Sequence, residues 1–108
     1  MIRSLDFIVN GISQRKLILE LAAIRRVFDE QDLLDGIYIA SQEIRQLKGL
    51  ETNQLERVLS ALRVYGYLGG TRTETIITEK GKEKLSKSTN RNPEFYQVIA
   101  QKVFNYSN

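Results

Sequence analysis

The sequence predicts an α+β fold that is mainly helical. Three observations carry that expectation. Leu55, Val58, Leu59, Leu62 and Tyr65 recur at helical spacing between Asn53 and Tyr65. Tyr67-Leu68 and Thr75 to Thr78 are β-rich runs, and Gly69 to Glu74 between them reads as a hairpin with its tip near Arg72–Glu74. Asn92-Pro93-Glu94 joins a capping residue, a first-position proline and an acid in the first turn, a signature of a helix start. With 108 residues, 42% of them hydrophobic, the chain suits a single domain with a modest core. We expect that core over residues 13–88 and a terminal helix over 92–106.

The first residues form an apolar cluster, Leu5, Phe7, Ile8 and Val9, before the turn signal Asn10-Gly11. Either a strand or a helical turn satisfies that cluster. Ser13 can cap a long helix to about Gln31, with Leu17, Leu21, Ile24 and Phe28 on one side and Ile18 and Val27 widening it. Arg25 and Arg26 precede Asp29 and Glu30 by four residues, the spacing of surface ion pairs. Asp32 to Gly36 reads as a connection into a short strand, Ile37-Tyr38-Ile39.

Ser41 can then cap a helix with Glu43 in its first turn, Ile44 and Leu47 on its inner side and Gly49 at its stop. Thr52 or Asn53 can cap the next helix. Rotation of 100° per residue puts Asn53, Glu56, Arg57, Ser60 and Val64 opposite its apolar stripe. Gly66 ends it. Thr78 can cap a lysine-rich helix carrying Lys80, Lys82, Lys84 and Lys87, and Ser86 to Asn92 reads as a polar linker. Phe95, Val98, Ile99, Val103 and Tyr106 line one side of the last helix, with Tyr96, Ala100 and Phe104 around more of its circumference. So apolar a helix has to be covered, by the first helix or by a second subunit.

Composition narrows the function classes. The chain has no Cys and no His, which excludes zinc ribbons, disulfide frameworks and Cys/His nucleophile pairs. No Gly-rich phosphate loop is present, and the paired carboxylates at Asp29/Glu30 and Asp32/Asp35 flank an ordinary helix end. We therefore expect no catalytic residues, no cofactor and no metal. No apolar run reaches the length of a membrane span, and the start Met1 to Asp6 does not read as a signal peptide, so a cytoplasmic protein is expected. The net charge of +3 is uneven: residues 1–40 hold five basic and six acidic side chains, residues 41–91 ten and six, and residues 92–108 one of each.

The run Ser41-Gln42-Glu43-Ile44, the helix Asn53–Tyr65 ending in Gly66-Tyr67-Leu68, and Ile77-Thr78-Glu79-Lys80-Gly81-Lys82 follow one another in a telling order. That order resembles the winged helix-turn-helix superfamily of DNA-binding domains, such as the MarR-like and PadR-like regulators. The resemblance implies a winged helix-turn-helix with added N- and C-terminal helices. It implies binding of double-stranded DNA by a small transcriptional regulator, and a homodimer joined through the terminal helices. Helix 53–65 would enter the major groove, and wing 69–75 would lie on the backbone or in the minor groove.

Arg57 is then the candidate for a bidentate guanine contact and Asn53 for an adenine contact, with Ser60 beside them and Gln54 on the flank. Arg72 at the wing tip, and Ser41, Gln42 and Arg45 on the preceding helix, would touch phosphate. Lys48, Arg63 and the lysines of residues 80–84 would add a sequence-independent term. A different class stays open. Winged helices also act as protein–protein modules in larger assemblies, and Glu56 and Val64 on the presumed reading side suit that use. A role in replication or plasmid partition would share the DNA chemistry, and a ligand pocket between the first and last helices is a further alternative.

Overall fold

A computed structural model describes residues 6–88 and 92–105. In chain order the elements are β1 (Ile8–Val9), β2 (Ile12–Ser13), α1 (Gln14–Arg25), β3 (Val27–Phe28) and α2 (Glu30–Glu43). A short 3-10 helix (Arg45–Leu47) leads to α3 (Thr52–Val64), β4 (Leu68–Gly70), β5 (Thr75–Ile77), α4 (Glu79–Ser86) and α5 (Pro93–Asn105). The fold is α+β and mainly helical, with two small antiparallel sheets. One is the hairpin β1–β2, so the strand alternative holds for the first apolar cluster; Leu5 lies outside the described residues. The other has the order β3-β5-β4, with Val27 opposite Ile76 and Leu68 opposite Ile77.

The start of α1 is as expected. Ser13 Oγ accepts from the Lys16 amide and donates to Asp6, whose carboxylate also takes the Arg15 amide. Leu17, Ile18, Leu21 and Ala22 are fully buried, each leucine or isoleucine contributing about 1.5–3 kcal/mol by leaving water. The end of α1 differs from the expectation. The helix stops at Arg25 rather than near Gln31, because Arg26 turns to φ 76°. Val27 and Phe28 then leave helical geometry to pair with β5. The four-residue spacing from Arg25 and Arg26 to Asp29 and Glu30 therefore crosses a strand. The Arg25 guanidinium lies over the Phe104 ring instead, and Glu30 pairs with Arg63.

A second correction concerns residues 32–43. The expected connection, the strand over residues 37–39 and the cap at Ser41 are all part of α2. Asp29 is the true cap, its carboxylate accepting from the amides of Gln31 and Asp32. Leu33, Leu34, Ile37 and Ala40 are the buried side of this helix, a helical rather than a strand period. Gly36, which looked like a turn, sits mid-helix for a different reason. A methyl group there would press on the backbone carbonyl of Val103, so glycine is what lets α5 approach α2 this closely. The expected helix from Ser41 to Gly49 shrinks to the last turn of α2 and the 3-10 helix.

The last helix begins as expected, with Asn92 Oδ1 accepting from the Phe95 amide. It is covered from within the chain. Tyr96, Ile99, Ala100, Val103 and Phe104 are buried against α1 and α2, and the Phe28 and Phe104 rings lie 6.4 Å apart. Val98, expected in the buried line, is half exposed, and Tyr106 lies outside the described residues. Lys102 reaches Glu43 on α2 at 2.6 Å. Burial raises the pKa of the Tyr96 hydroxyl above its ordinary value, and the charge of Glu20 adds to the rise.

Two expected outcomes follow from this packing. Gly36→Ala should lower stability by about 1–3 kcal/mol, as overpacking does, visible as a lower melting temperature; an unchanged melting temperature would mean α5 does not dock as described. The Tyr96 phenol stays neutral in the folded chain at a pH where the unfolded chain ionises. Its contribution is therefore complete below about pH 10 and lost as pH rises through the raised value. Urea unfolding between neutral and strongly alkaline pH should show Tyr96→Phe losing less stability than the parent over that rise.

Candidate nucleic-acid interface

Helix α3 buries Leu55, Val58, Leu59 and Leu62 and leaves Asn53, Glu56, Arg57, Ser60 and Val64 exposed, the division expected from its periodicity. Its start differs from the expectation. Glu51 occupies the cap position without a side-chain bond, and Asn53 accepts only from the adjacent Gln54 amide. At the other end Gly66 turns to φ 80° and the Tyr67 amide donates back to the Leu62 carbonyl.

One side chain of α3, Arg63, ties the tip of the hairpin β4–β5 to the helices. Arg63 Nε donates to Glu30 Oε2 at 2.6 Å, Nη1 to the Gly70 carbonyl at 2.8 Å, and Nη2 to the Thr71 carbonyl at 3.0 Å and Thr75 Oγ1 at 2.8 Å. Thr75 is wholly buried, and its hydroxyl lies 3.1 Å from the Glu30 carboxylate. The Glu30 amide closes the ring by donating to the Arg72 carbonyl. The hairpin neck adds Gly70 at φ 77°, where a methyl group would press on the Glu74 carbonyl. Arg63 was expected among the phosphate-seeking cations; its fork of donors is instead spent inside the fold.

This clamp sets where the hairpin tip lies. Arg72 and Thr73 line one cleft with Glu56 and Ser60 of α3 and with Asp29, Glu30 and Gln31 from the start of α2. Ser60, expected at the reading side, and Arg72, expected at the wing tip, are thus brought together. Arg57 shares a shallow hollow with Glu56, Ser60 and Val64, and its guanidinium stands 5.4 Å from the centre of the Phe7 ring. Gln54 is turned inward, accepting from Gln14 Nε2 at 3.2 Å. No family model, curated protein or solved structure matches the chain.

The three residues expected on the preceding helix lie elsewhere. Ser41 is in the last turn of α2, where its hydroxyl donates to the Tyr38 carbonyl at 2.6 Å, so it does not present free amides of a helix start. Gln42 ends up exposed beside it, and Arg45 is exposed on the 3-10 helix. The start of α2 is instead acidic, with Asp29, Glu30 and Asp32 in or beside its first turn. One contact was not foreseen at all. Asn10 Nδ2 donates to the carbonyls of Gln46 and Lys48, so the hairpin β1–β2 clasps the turn that leads into α3. No helix among the described residues is long and apolar enough to cross a membrane.

The clamp makes a measurable claim. Arg63→Ala should cost about 1–3 kcal/mol, because it strands a half-buried carboxylate and two hairpin carbonyls. Pairing it with Glu30→Ala should give a double variant less damaged than the sum of the two singles. Amide exchange in residues 68–77 should speed up beyond the change in global stability; uniform exchange across the chain would show that Arg63 does not hold the hairpin.

Proposed function

We propose that this chain is a winged helix-turn-helix protein that binds duplex DNA, with α3 in the major groove and the β4–β5 hairpin as the wing. The observation that carries this reading is the open polar side of α3, which shares a cleft with the hairpin tip through Ser60, Glu56 and Arg72. The order of elements supports it. A helix, a short strand, two helices and a hairpin follow one another from α1 to β5, and the short strand joins the hairpin in one sheet. In this assignment the motif helices are α2 and α3, with β3 rather than residues 37–39 as the first strand. Arg57 is the residue for a bidentate base contact, and it would leave its place over Phe7 to make it. Asn53 stands at the groove-entering end, and Ser60 allows close approach of the helix.

The rest of the reading is a small cytoplasmic transcriptional regulator acting as a homodimer. The inner side of α5 is filled by its own chain, so a dimer seam on the terminal helices would use outward residues such as Val98, which is 51% exposed.

A second reading has its own observation. Glu56 balances Arg57 on the exposed side of α3, and Arg72 faces Asp29, Glu30 and Glu56 across the cleft. A neutral helix face ending in Val64, 84% exposed, suits a protein partner as well as a groove.

Fluorescence anisotropy on labelled duplex of mixed genomic sequence, across a salt series, tests the first reading. Affinity should fall steeply as salt rises, through counterion release. On a selected site, Arg57→Ala should cost about 1–3 kcal/mol of discrimination at one base pair. An equal loss on every sequence would remove Arg57 as a base reader. Absence of binding at low salt would favour the protein partner.

A further inference from the structure

Two grooves of the molecule differ in the charge of their lining. On the hairpin side, Arg72 is set among Asp29, Glu30 and Glu56. Elsewhere, the first turn of α1 meets α4. Arg15, Lys16 and Lys84 line one groove there, together with Asp6, Ser13 and Leu85. The Asp6 carboxylate in that groove is already engaged by the Phe7 and Arg15 amides and the Ser13 hydroxyl. Tyr67, just beyond the end of α3, extends the same surface. The Arg15 guanidinium lies 6.0 Å from its ring centre and the Lys80 ammonium 5.4 Å.

The lysines of α4 divide into two sets. Lys82 pairs with Glu79 at 3.3 Å and Lys87 with Glu83 at 3.1 Å. Lys80 and Lys84, one turn apart, are on the side that meets Tyr67 and the groove. Arg15 and Lys80 therefore meet over Tyr67, while Lys84 lines the adjoining groove with Lys16, whose ammonium lies 5.9 Å from the Tyr96 ring centre.

We infer that this ledge, formed by Arg15 and Lys80 over Tyr67 with Lys16 and Lys84 in the adjoining groove, is where the protein holds the phosphodiester backbone of duplex DNA. The wing flank carries carboxylates that repel phosphate, so the sequence-independent part of binding comes from the ledge. Lys80 is held beside a half-exposed aromatic, and both Lys80 and Lys84 are exposed, so their positive charge is what an anion approaching the ledge would meet. A duplex bound here rests one strand on the ledge while α3 enters the adjacent groove. The inference rests on the DNA-binding reading and departs from it in placing the backbone contact away from the wing.

The test compares two double variants of equal charge change, Lys80→Gln/Lys84→Gln and Lys82→Gln/Lys87→Gln, in the full chain, with circular dichroism to check folding. The probe is a labelled duplex of mixed sequence, read by anisotropy across a salt series. Lys80→Gln/Lys84→Gln should reduce the slope of log affinity against log salt by about two, one per lost phosphate contact, and leave base preference unchanged. Lys82→Gln/Lys87→Gln should leave the slope close to that of the parent. Equal slope changes in both would overturn the ledge, since net charge alone would explain them. An unchanged slope in Lys80→Gln/Lys84→Gln would also overturn it, and if Arg57→Ala still altered base preference the role of α3 would survive. The reverse result, slope lost with the ledge lysines and no change of preference with Arg57→Ala, would keep the ledge and remove α3 as the reader. Equal affinity for anionic lipid vesicles and duplex would overturn the assignment to nucleic acid.

Discussion

The place of the hairpin on the candidate surface depends on the multidentate bond set of Arg63. A single guanidinium ties the start of α2, the end of α3 and both sides of the hairpin tip, through Glu30, Gly70, Thr71 and Thr75. Arginine fits this role because its donors are planar and fixed in direction, so one residue can satisfy a carboxylate and two carbonyls at once. The half-buried position matters as well. With its side chain 24% exposed and that of Glu30 13% exposed, the pair is shielded from solvent more than a surface pair would be. Without it the hairpin would keep its pairing with β3 and the burial of Leu68 and Ile77, but its tip would lose its tie to α2 and α3.

Much of the C-terminal half was legible in the sequence because its signals are local. The stripe on α3, the hairpin glycines, Thr78 as cap and Asn92-Pro93 as helix start all act within a few residues of themselves. The region from Arg26 to Glu43 was misread because its structure is set from a distance. Val27 and Phe28 leave helical geometry to pair with residues 75 and 76. Gly36 is chosen by the backbone of Val103 and not by a turn of its own. An isolated reading of Asp-Gly followed by Ile-Tyr-Ile favours turn and strand, and the packing of α5 overrides it.

The candidate site was legible only in part, for a similar reason. Periodicity placed Asn53, Arg57 and Ser60 on the open side of α3, as the structure does. It could not say that Arg63, one residue past the buried Leu62, has partners at hand on two other elements. A faint signal existed: Thr75 shares strand parity with the inward Ile77, so a polar residue was destined for the interior and needed a partner there. The overall charge excess of residues 41–91 was correctly located in sequence. In space it divides, since Arg63 is internal and Lys82 and Lys87 are paired on α4.

The pairing of β3 with β5 carries a consequence for how this chain is made. Phe28 is synthesised well before Thr75, its partner across the ladder. Until the hairpin leaves the ribosome, the nascent chain holds α1, α2 and α3 with one strand unmatched and Glu30 without its arginine clamp completed. Loop-closure entropy over that span has to be overcome before the pairing can return any stability. The cleft between the hairpin tip and α3 can therefore take shape only after residue 75 has been made.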